Sequence, residues 1–541
     1  METQILNPNT DASAIPLAAK LLQNGGLVVI PTETVYGLAA NALDPEAVRN
    51  IYIAKGRPGD NPLIVHISSF EEIYPLVKEV PEAAKRLAEK FWPGPLTVIL
   101  PKSDLVPSVT SGGLDTVAIR MPSHPVAREV IRAAGVPLAA PSANISGFPS
   151  PTKVEYAADD MTGRVPLILD GGECAVGVES TVLTLAAGKP RILRPGGITP
   201  EMLREVLGEV EVDRAVLDPL GKNETAASPG MKYKHYSPET RVRIYRGSEK
   251  GYLRYFERHP AQGQFALCFE ETAPLLRVPF VTFGRKDDCL TQTHRLFDAL
   301  RELDEAGASL ALAQCPPPRD VGLAVCNRLF RAAGFDFIDE APIVGLTGQT
   351  GAGKSTVANV FASAGYRVVD TDKLAREIVE TGSPVLRRLA EAFGEDILDG
   401  NGALIRARLA ERAFADAEKT ALLNSITHPE ILRRTAEAAF SFSERNIPCL
   451  LDVPLLFQSG ADAICDVTVA VTAPAETRKR RIMERDGISE EAAALRMGAQ
   501  EPEAYYTARA DIIIRNPDGA DPGKAALAAA ERIKTRYGGI A

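Results

Sequence analysis

From Leu27 onward the chain alternates short apolar runs with stretches in which apolar residues recur every three or four positions. The first pattern is that of buried strands, the second that of helices with one apolar face. Leu27–Ile30, Leu63–His66, Leu96–Leu100, Val117–Arg120, Leu138–Ala140, Leu167–Asp170 and Thr181–Leu185 read as strands. Pro45–Ala54, Glu71–Lys90 and Pro125–Ala134 read as helices. Together they predict a many-stranded α/β unit ending near Val216. Residues 217–240 (LDPLGKNETAASPGMKYKHYSPET) break the pattern: they are largely polar, with Gly, Pro and Ser, and read as a linker.

A smaller, Rossmann-like α/β unit is expected over 241–337, with strands Arg241–Tyr245, Ala266–Phe269, Val278–Phe283 and Ser309–Ala313 and a closing helix Gly322–Ala333. A third unit, 338–541, opens with another apolar strand. Composition adds bounds rather than detail. A chain of 541 residues with 45% hydrophobic and 24% charged positions is globular material for several domains. The net charge of −9 argues against a general nucleic-acid coat and leaves room for a local basic groove. Seven dispersed cysteines without a Cys-x-x-Cys pair suit a reducing cytosol. Met1–Asp11 lacks the basic and apolar regions of an export signal, and no apolar run reaches the ~18 residues of a membrane span, so a cytoplasmic protein is expected.

The chemistry is plainest in PIVGLTGQTGAGKST, residues 342–356. A strand, Gly348-x-x-x-x-Gly353-Lys354-Ser355 and a helical pattern appear together, which is the order of a Walker A phosphate loop. Gly348, Gln349, Thr350, Gly351, Ala352, Gly353, Lys354, Ser355 and Thr356 would wrap ATP. Lys354 would neutralise the terminal phosphates and the Ser355 hydroxyl would ligate Mg²⁺. Tyr366–Val369 reads as a second strand, ending in Asp370-Thr371-Asp372. A carboxylate there faces the substrate crevice and could take a proton from an attacking hydroxyl, or could simply cap the helix that follows. Cys449–Leu451 with Asp452 has the look of a Walker B strand. Arg478, Arg480, Arg481, Arg485 and Arg496 suit either a lid over transferred phosphate or a solvated charged face.

GLTGQTGAGKST, VVDTDKLARE, NSITHPEI, LLDVPLLFQSG, RRIMERDGISEEAAALRMGAQ and ADIIIRN make Gly345–Arg536 resemble the dephospho-coenzyme A kinase family over essentially its whole length. The resemblance implies a P-loop kinase domain with a parallel sheet. It makes Asp372 the base for the ribose 3′-hydroxyl of dephospho-CoA, and Arg481 and Arg485 lid residues. His428-Pro429 would fall in the helical insert tied to that substrate. Gln458 stands where the family usually carries Glu.

The N-terminal part offers no such loop. Lys55 and Arg57, two apart in a Gly/Pro-rich stretch before a buried strand, make a fixed positive site suited to phosphate. Arg120 and Arg194 close strands that are otherwise apolar, where charges are seldom core. Pro141-Ser142-Ala143-Asn144 and Glu179-Ser180-Thr181 add small donors at strand ends. Alone, each is more often an ordinary surface feature; together they point to one oxygen-rich, anionic ligand.

PTETVYGL, KGRPGDNPLIVHI, FWPGPLTVIL, VAIRMPSHP, APSANISG, VESTVLTL and ILRPGGIT make residues 15–205 resemble the YrdC-type threonylcarbamoyl-AMP synthase domain. SPGMKYKHYSP and GLAVCNRLFRAA match its longer form, which carries an extra C-terminal domain. The resemblance implies formation of threonylcarbamoyl-AMP from L-threonine, bicarbonate and ATP, with pyrophosphate released and the product handed to tRNA-modifying proteins. It implies an ATP site of Lys55, Arg57, Thr116, Ser142, Asn144, Arg194 and Ser228, with Lys55 and Arg57 on the phosphates. Threonine would meet Thr34, His66, Arg120 and Ser180, although His66 could instead be a satisfied buried histidine. Ser228 would make the linker a lid. The expectation is thus a bifunctional enzyme using ATP and Mg²⁺ twice, without direct nucleic-acid binding. Its rival is a non-catalytic RNA-binding module fused to a nucleoside or nucleotide kinase.

Overall fold

The computed structural model describes residues 1–186, 188–219 and 235–537. They form two compact units, one of 1–245 with 259–337, the other of 246–258 with 338–541. Both are α/β. Among the described residues no helix is long and apolar enough to cross a membrane.

The first unit is built on eleven strands: β1 (Gln4–Leu6), β2 (Val28–Ile30), β3 (Gly37–Asn41), β4 (Ile64–His66), β5 (Leu96–Pro101), β6 (Thr116–Arg120), β7 (Leu138–Ala139), β8 (Leu167–Leu169), β9 (Thr181–Thr184), β10 (Arg191–Arg194) and β11 (Glu211–Val212). They line up as β1-β8-β2-β3-β7-β4-β6-β5-β9-β10-β11, mixing parallel and antiparallel pairs. Apolar side chains fill both faces. Val29, Leu38, Val65, Val98 and Ile119 belong to one core, and Val28, Ile30, Ala39, Leu138 and Leu167 to another. Register does the positioning: in the parallel β4–β6 pair His66 lies opposite Arg120, and a lone bridge sets Gly37 opposite Ser142.

Two stretches differ from the sequence reading. The single helix expected over Glu71–Lys90 is a 3₁₀ segment (Phe70–Leu76) and a separate α-helix (Glu82–Phe91). Pro75 and Pro81 explain the break: each lacks a donor, and each restricts the residue before it. The polar N-terminus forms β1, which pairs with β8 through Gln4, Ile5 and Leu6 and so escapes a search for apolar runs.

The same unit holds β12 (Arg241–Arg246, whose last residue falls in the other unit), β13 (Gln264–Cys268), β14 (Phe280–Thr282) and β15 (Leu310–Ala313). These run parallel in the order β14-β13-β15-β12. The helix Gly322–Ala333 is buried along almost its whole length.

After β16 (Phe337–Asp339) comes the second unit's sheet of β17 (Ile343–Gly348), β18 (Arg367–Asp370), β19 (Cys449–Asp452), β20 (Val467–Thr472) and β21 (Ile512–Arg515). All five are parallel, in the order β18-β19-β17-β20-β21. Val344, Leu346, Val469 and Val471 face the helices Lys354–Ser363 and Pro522–Tyr537, while Ile343, Val369, Leu451 and Val453 face the helix Ala417–Ser443. A helical insert has its own core of Val385, Leu389, Phe393 and Leu409. The helix Glu249–Arg258 also belongs here: the buried Asp466 carboxylate accepts from Ser248 Oγ at 2.6 Å, Arg254 Nη2 at 2.5 Å and Ile343 N at 2.7 Å.

Candidate active sites

One cleft of the first unit is lined by Thr34, Lys55, Arg57, His66, Arg120, Ser142, Asn144 and Arg194. Lys55 ends the helix Pro45–Lys55, whose start is fixed by Asp44 accepting from the Glu46 and Ala47 amides. Its buried ammonium donates to the Ser142 carbonyl at 2.5 Å and to the Asn144 carbonyl, so it fastens the loop that carries both residues. Burial, and then Arg57, push its pKa well below the usual lysine value. Arg57 donates to Pro62 O at 3.2 Å, and its buried Nε makes no hydrogen bond. Burial lowers it to about 10, which leaves it charged at neutral pH.

His66 is buried and, by burial first and Arg120 second, titrates at about 3. It is a neutral imidazole with Nδ1 3.1 Å from Ile64 O. Arg120 pairs with Glu33 at 2.6 Å, both side chains buried, and its Nε has no hydrogen-bond partner. Arg194 donates to Ser180 O and Ser180 Oγ, each at 3.1 Å. Asn144 gives its amide hydrogens to Ile145 O and Phe148 O, leaving Oδ1 buried without a hydrogen bond. The cleft is therefore rich in cations with unused hydrogen-bonding capacity, the inside of an anion site.

Two candidates do not line it. Ser180 stands one hydrogen bond behind, holding Arg194. Thr116 lies at the far end of β6, on the face shared with Arg120 because side chains alternate along a strand. Ser228 lies outside the described residues. Sequence reasoning passed over Glu33 and Glu179 as site members, although both sit inside stretches that it singled out. Neighbour order cannot show that Glu33 meets Arg120, or that Glu179 meets Arg328, 149 residues away. His235 and Tyr236 also line the cleft, just after the last undescribed linker residue.

In the second unit the strand β17 ends at Gly348 and the helix Lys354–Ser363 starts at Gly353. Both glycines have positive φ, 144° and 99°. A Cβ at Gly348 would stand 2.3 Å from Val471 O, and one at Gly353 2.3 Å from Asn516 Nδ2. Only glycine fits either place. The tip is pinned from outside: Thr350 N donates to Gln500 Oε1 at 2.9 Å, Gln349 Nε2 to Glu501 O at 2.8 Å, and Asn516 Nδ2 to Ala352 O at 2.9 Å. Gln500 and Asn516 close motifs that the sequence reading quoted without assigning them a role.

Lys354 reaches back to Gly348 O at 3.1 Å. Burial lowers its pKa, against the pull of Asp452 and Asp372. Asp370, not Asp372, caps the next helix, accepting from the amides of Asp372 and Lys373 at 2.9 and 3.1 Å. Asp372 therefore keeps its carboxylate for the adjoining cavity of about 200 Å³, which it lines with His428, Ile431, Leu432, Val453 and Leu455. Asp452 lies level with Asp370 across β19–β18, with Oδ1 buried and without a hydrogen bond. Burial, with Asp370 and Asp372 nearby, raises its pKa despite Lys354. Arg481 Nη1 lies 3.5 Å from Gly351 O, whereas Arg485 pairs with Asp486, which also holds Arg496. Gln458 is exposed and does not line the cavity, though Leu455 and Ser459 beside it do.

Known proteins match successive stretches of the chain. Residues 20–196 match the Sua5/YciO/YrdC family profile described as telomere recombination, and 198–334 match "Threonylcarbamoyl-AMP synthase, C-terminal domain". Residues 342–521 match "Dephospho-CoA kinase". The threonylcarbamoyl-AMP synthase of Pyrococcus abyssi is 47% identical over 334 residues, 60% of this chain and 95% of that relative. A dephospho-CoA kinase of Corynebacterium glutamicum is 44% identical over 174 residues, 32% of this chain and 87% of that relative. The crystal structure of P. abyssi Sua5 complexed with L-threonine superposes with a TM-score of 0.58 at 43% identity, covering 62% of this chain and 99% of that one. The chain thus belongs to two families at once, to the threonylcarbamoyl-AMP synthases through its first part and to the dephospho-CoA kinases through its last.

Proposed function

We propose that this is a bifunctional enzyme that makes threonylcarbamoyl-AMP in its first unit and phosphorylates dephospho-CoA in its second. The observation that carries it is the pair of unlike phosphate sites, each in the part of the chain with the matching relatives.

In the first site the reaction needs no strong protein base. Threonine's amine adds to bicarbonate and water leaves, giving a carbamate whose oxygen attacks the α-phosphorus of ATP. The bond to the β-phosphate breaks, and pyrophosphate leaves. Positive charge and alignment are what this step asks of the protein. Lys55, Arg57, Ser142, Asn144 and Arg194 hold ATP, joined by Thr116 and the linker's Ser228. Thr34, the neutral His66, Arg120 and Ser180 hold threonine, with Arg120 on its carboxylate. The Arg120–Glu33 pair supports this reading, since it fixes the guanidinium and leaves Nε unused. The product serves tRNA threonylcarbamoylation by other proteins, in the cytoplasm.

In the second site the ribose 3′-oxygen of dephospho-CoA attacks the γ-phosphorus of ATP, its proton passes to Asp372, and ADP leaves. Gly348 to Thr356 wrap the phosphates, and Arg481 and Arg485 close over the transferred group. The residues fit a Mg²⁺ ion arriving with the nucleotide: Ser355 opens the loop helix, and Asp452 has a buried oxygen without a hydrogen bond. Such an ion would neutralise phosphate charge during transfer. The domain bounds that go with this reading are 1–216, a linker 217–240, 241–337 and 338–541.

The test supplies the full chain with ATP plus either threonine and bicarbonate or dephospho-CoA, and separates the products. AMP-linked product with pyrophosphate in the first case and ADP in the second is expected; a half that turns over neither refutes its assignment.

A further inference from the structure

Glu179 poses a problem for a cleft that takes up a polyanion. It lines that cleft, it is buried, and its charge would repel phosphate. Burial alone would raise its pKa, but Arg328 first and Arg194 next hold the carboxyl below its usual value, so it stays ionised. Ser150 Oγ donates to Oε1 at 2.5 Å, and Arg328 Nε donates to Oε2 at 2.8 Å. Arg328 Nη2 also reaches Glu179 O at 3.3 Å.

Arg328 does not touch the cleft. It is wholly buried, in the helix Gly322–Ala333. That helix grips the chain just before the linker and again near the linker's end. Upstream, Asn327 Nδ2 donates to Val216 O at 2.7 Å and Arg331 Nη2 to Ala215 O at 2.7 Å. Downstream, Ser237 Oγ donates to Ala332 O at 2.9 Å, and the Arg328 guanidinium lies over the Tyr236 ring, 5.4 Å from its centre. Tyr236 lines the cleft with a positive φ of 61°, and Ser237 N donates at 2.8 Å to the carbonyl of Gly147, another lining residue. A single side chain thus makes the direct ion pair of the carboxylate that lines the nucleotide cleft, with Arg194 acting on it more weakly, and packs against an aromatic ring of the cleft.

We propose that Arg328 is a positioning residue for ATP in the synthase reaction, acting through Glu179 and Tyr236. This rests on the synthase reading above. Without Arg328 the charge of Glu179 loses its direct ion pair and stands beside the phosphates with only Arg194 to offset it, so the deficit falls more on nucleotide affinity than on threonine.

The test uses the full chain and follows threonine-dependent pyrophosphate release, with thermal unfolding measured alongside. Arg328→Met is expected to raise KM for ATP about tenfold or more, with a smaller change in KM for threonine. The defect should shrink as the pH is lowered and Glu179 takes up a proton. Adding Glu179→Gln to Arg328→Met should restore KM for ATP to within about threefold of the parent chain, because the uncompensated charge is gone. An unchanged KM for ATP with a lowered unfolding temperature overturns the proposal, as does a double variant no better than the single one. If Arg328→Met does not fold, Arg328→Lys keeps the charge without the planar fork and carries the same test, with a rise of about threefold expected. A parent chain that releases no pyrophosphate would refute the synthase reading itself; an active parent with indifferent variants would refute only the role of Arg328.

Discussion

Read as proposed, the two nucleotide sites of this chain solve one problem by opposite means. The second unit meets phosphate with backbone: a loop whose glycines at 348 and 353 let the main chain come close, and one lysine reaching back across it. The first unit meets it with side chains: Lys55 and Arg57 from one helix end and loop, and Arg194 from a distant strand, each held by carbonyls or a hydroxyl. A backbone site is local in sequence, so it can be read as a motif. A side-chain site is assembled by topology, and only its pieces are visible beforehand.

Substitutions should separate the two. Lys354→Ala should lower ADP formation with dephospho-CoA about a thousandfold or more, while threonine-dependent pyrophosphate release persists. Lys55→Ala with Arg57→Ala should do the reverse. If either change silences both activities, the sites are not independent and the contrast fails. Asp372→Asn should cost the kinase about a hundredfold or more in kcat, with KM for ATP little changed, as measured by ADP release. Asp370→Asn keeps a capping oxygen and should cost far less.

A smaller, graded effect follows from the buried imidazoles. His66 and His235 both titrate at about 3, well under the ordinary histidine value. Unfolded, each takes up a proton as the pH falls through about 6.5; folded, neither does until about pH 3. The unfolded state therefore binds more protons in that window, and the first unit loses stability as the pH falls from 7 toward 5, by on the order of 1–2 kcal/mol for each histidine. Calorimetric unfolding at pH 7 and pH 5 checks it: the first unit's transition should move down, and His66→Gln should lessen the shift. The least effect is expected from Gln458→Glu. The residue is exposed and off the cavity, so KM for dephospho-CoA should change by less than about twofold.

The phosphate loop and most strands of the first unit were legible from runs and spacing, whereas the parallel kinase sheet was expected only from the family resemblance. What was not legible has particular causes. Pro75 and Pro81 split a stretch that amphipathic periodicity reads as one helix. β1 is only three residues, Gln4–Leu6, set in a mostly polar N-terminus, and as an edge strand it pairs through its backbone, so no long apolar run marks it. Asp370 and Asp372 are chemically equal in sequence, and only hydrogen bonds show that the first caps while the second stays available. The partners of Glu33 and Glu179 lie 87 and 149 residues away along the chain, a separation that folding alone brings together.

The helix Glu249–Arg258 has a practical consequence. It lies between strands of the first unit in sequence but belongs to the second unit, so the chain changes unit after residues 245, 258 and 337. No single scission, in the gene or by a protease, releases both units whole. Expressing 338–541 alone strips Asp466 of Ser248 and Arg254, leaving its carboxylate with one backbone donor and without the segment that covers it. Anyone dissecting the two activities will keep both in one polypeptide and silence them by substitution, or will graft residues 246–258 onto the kinase.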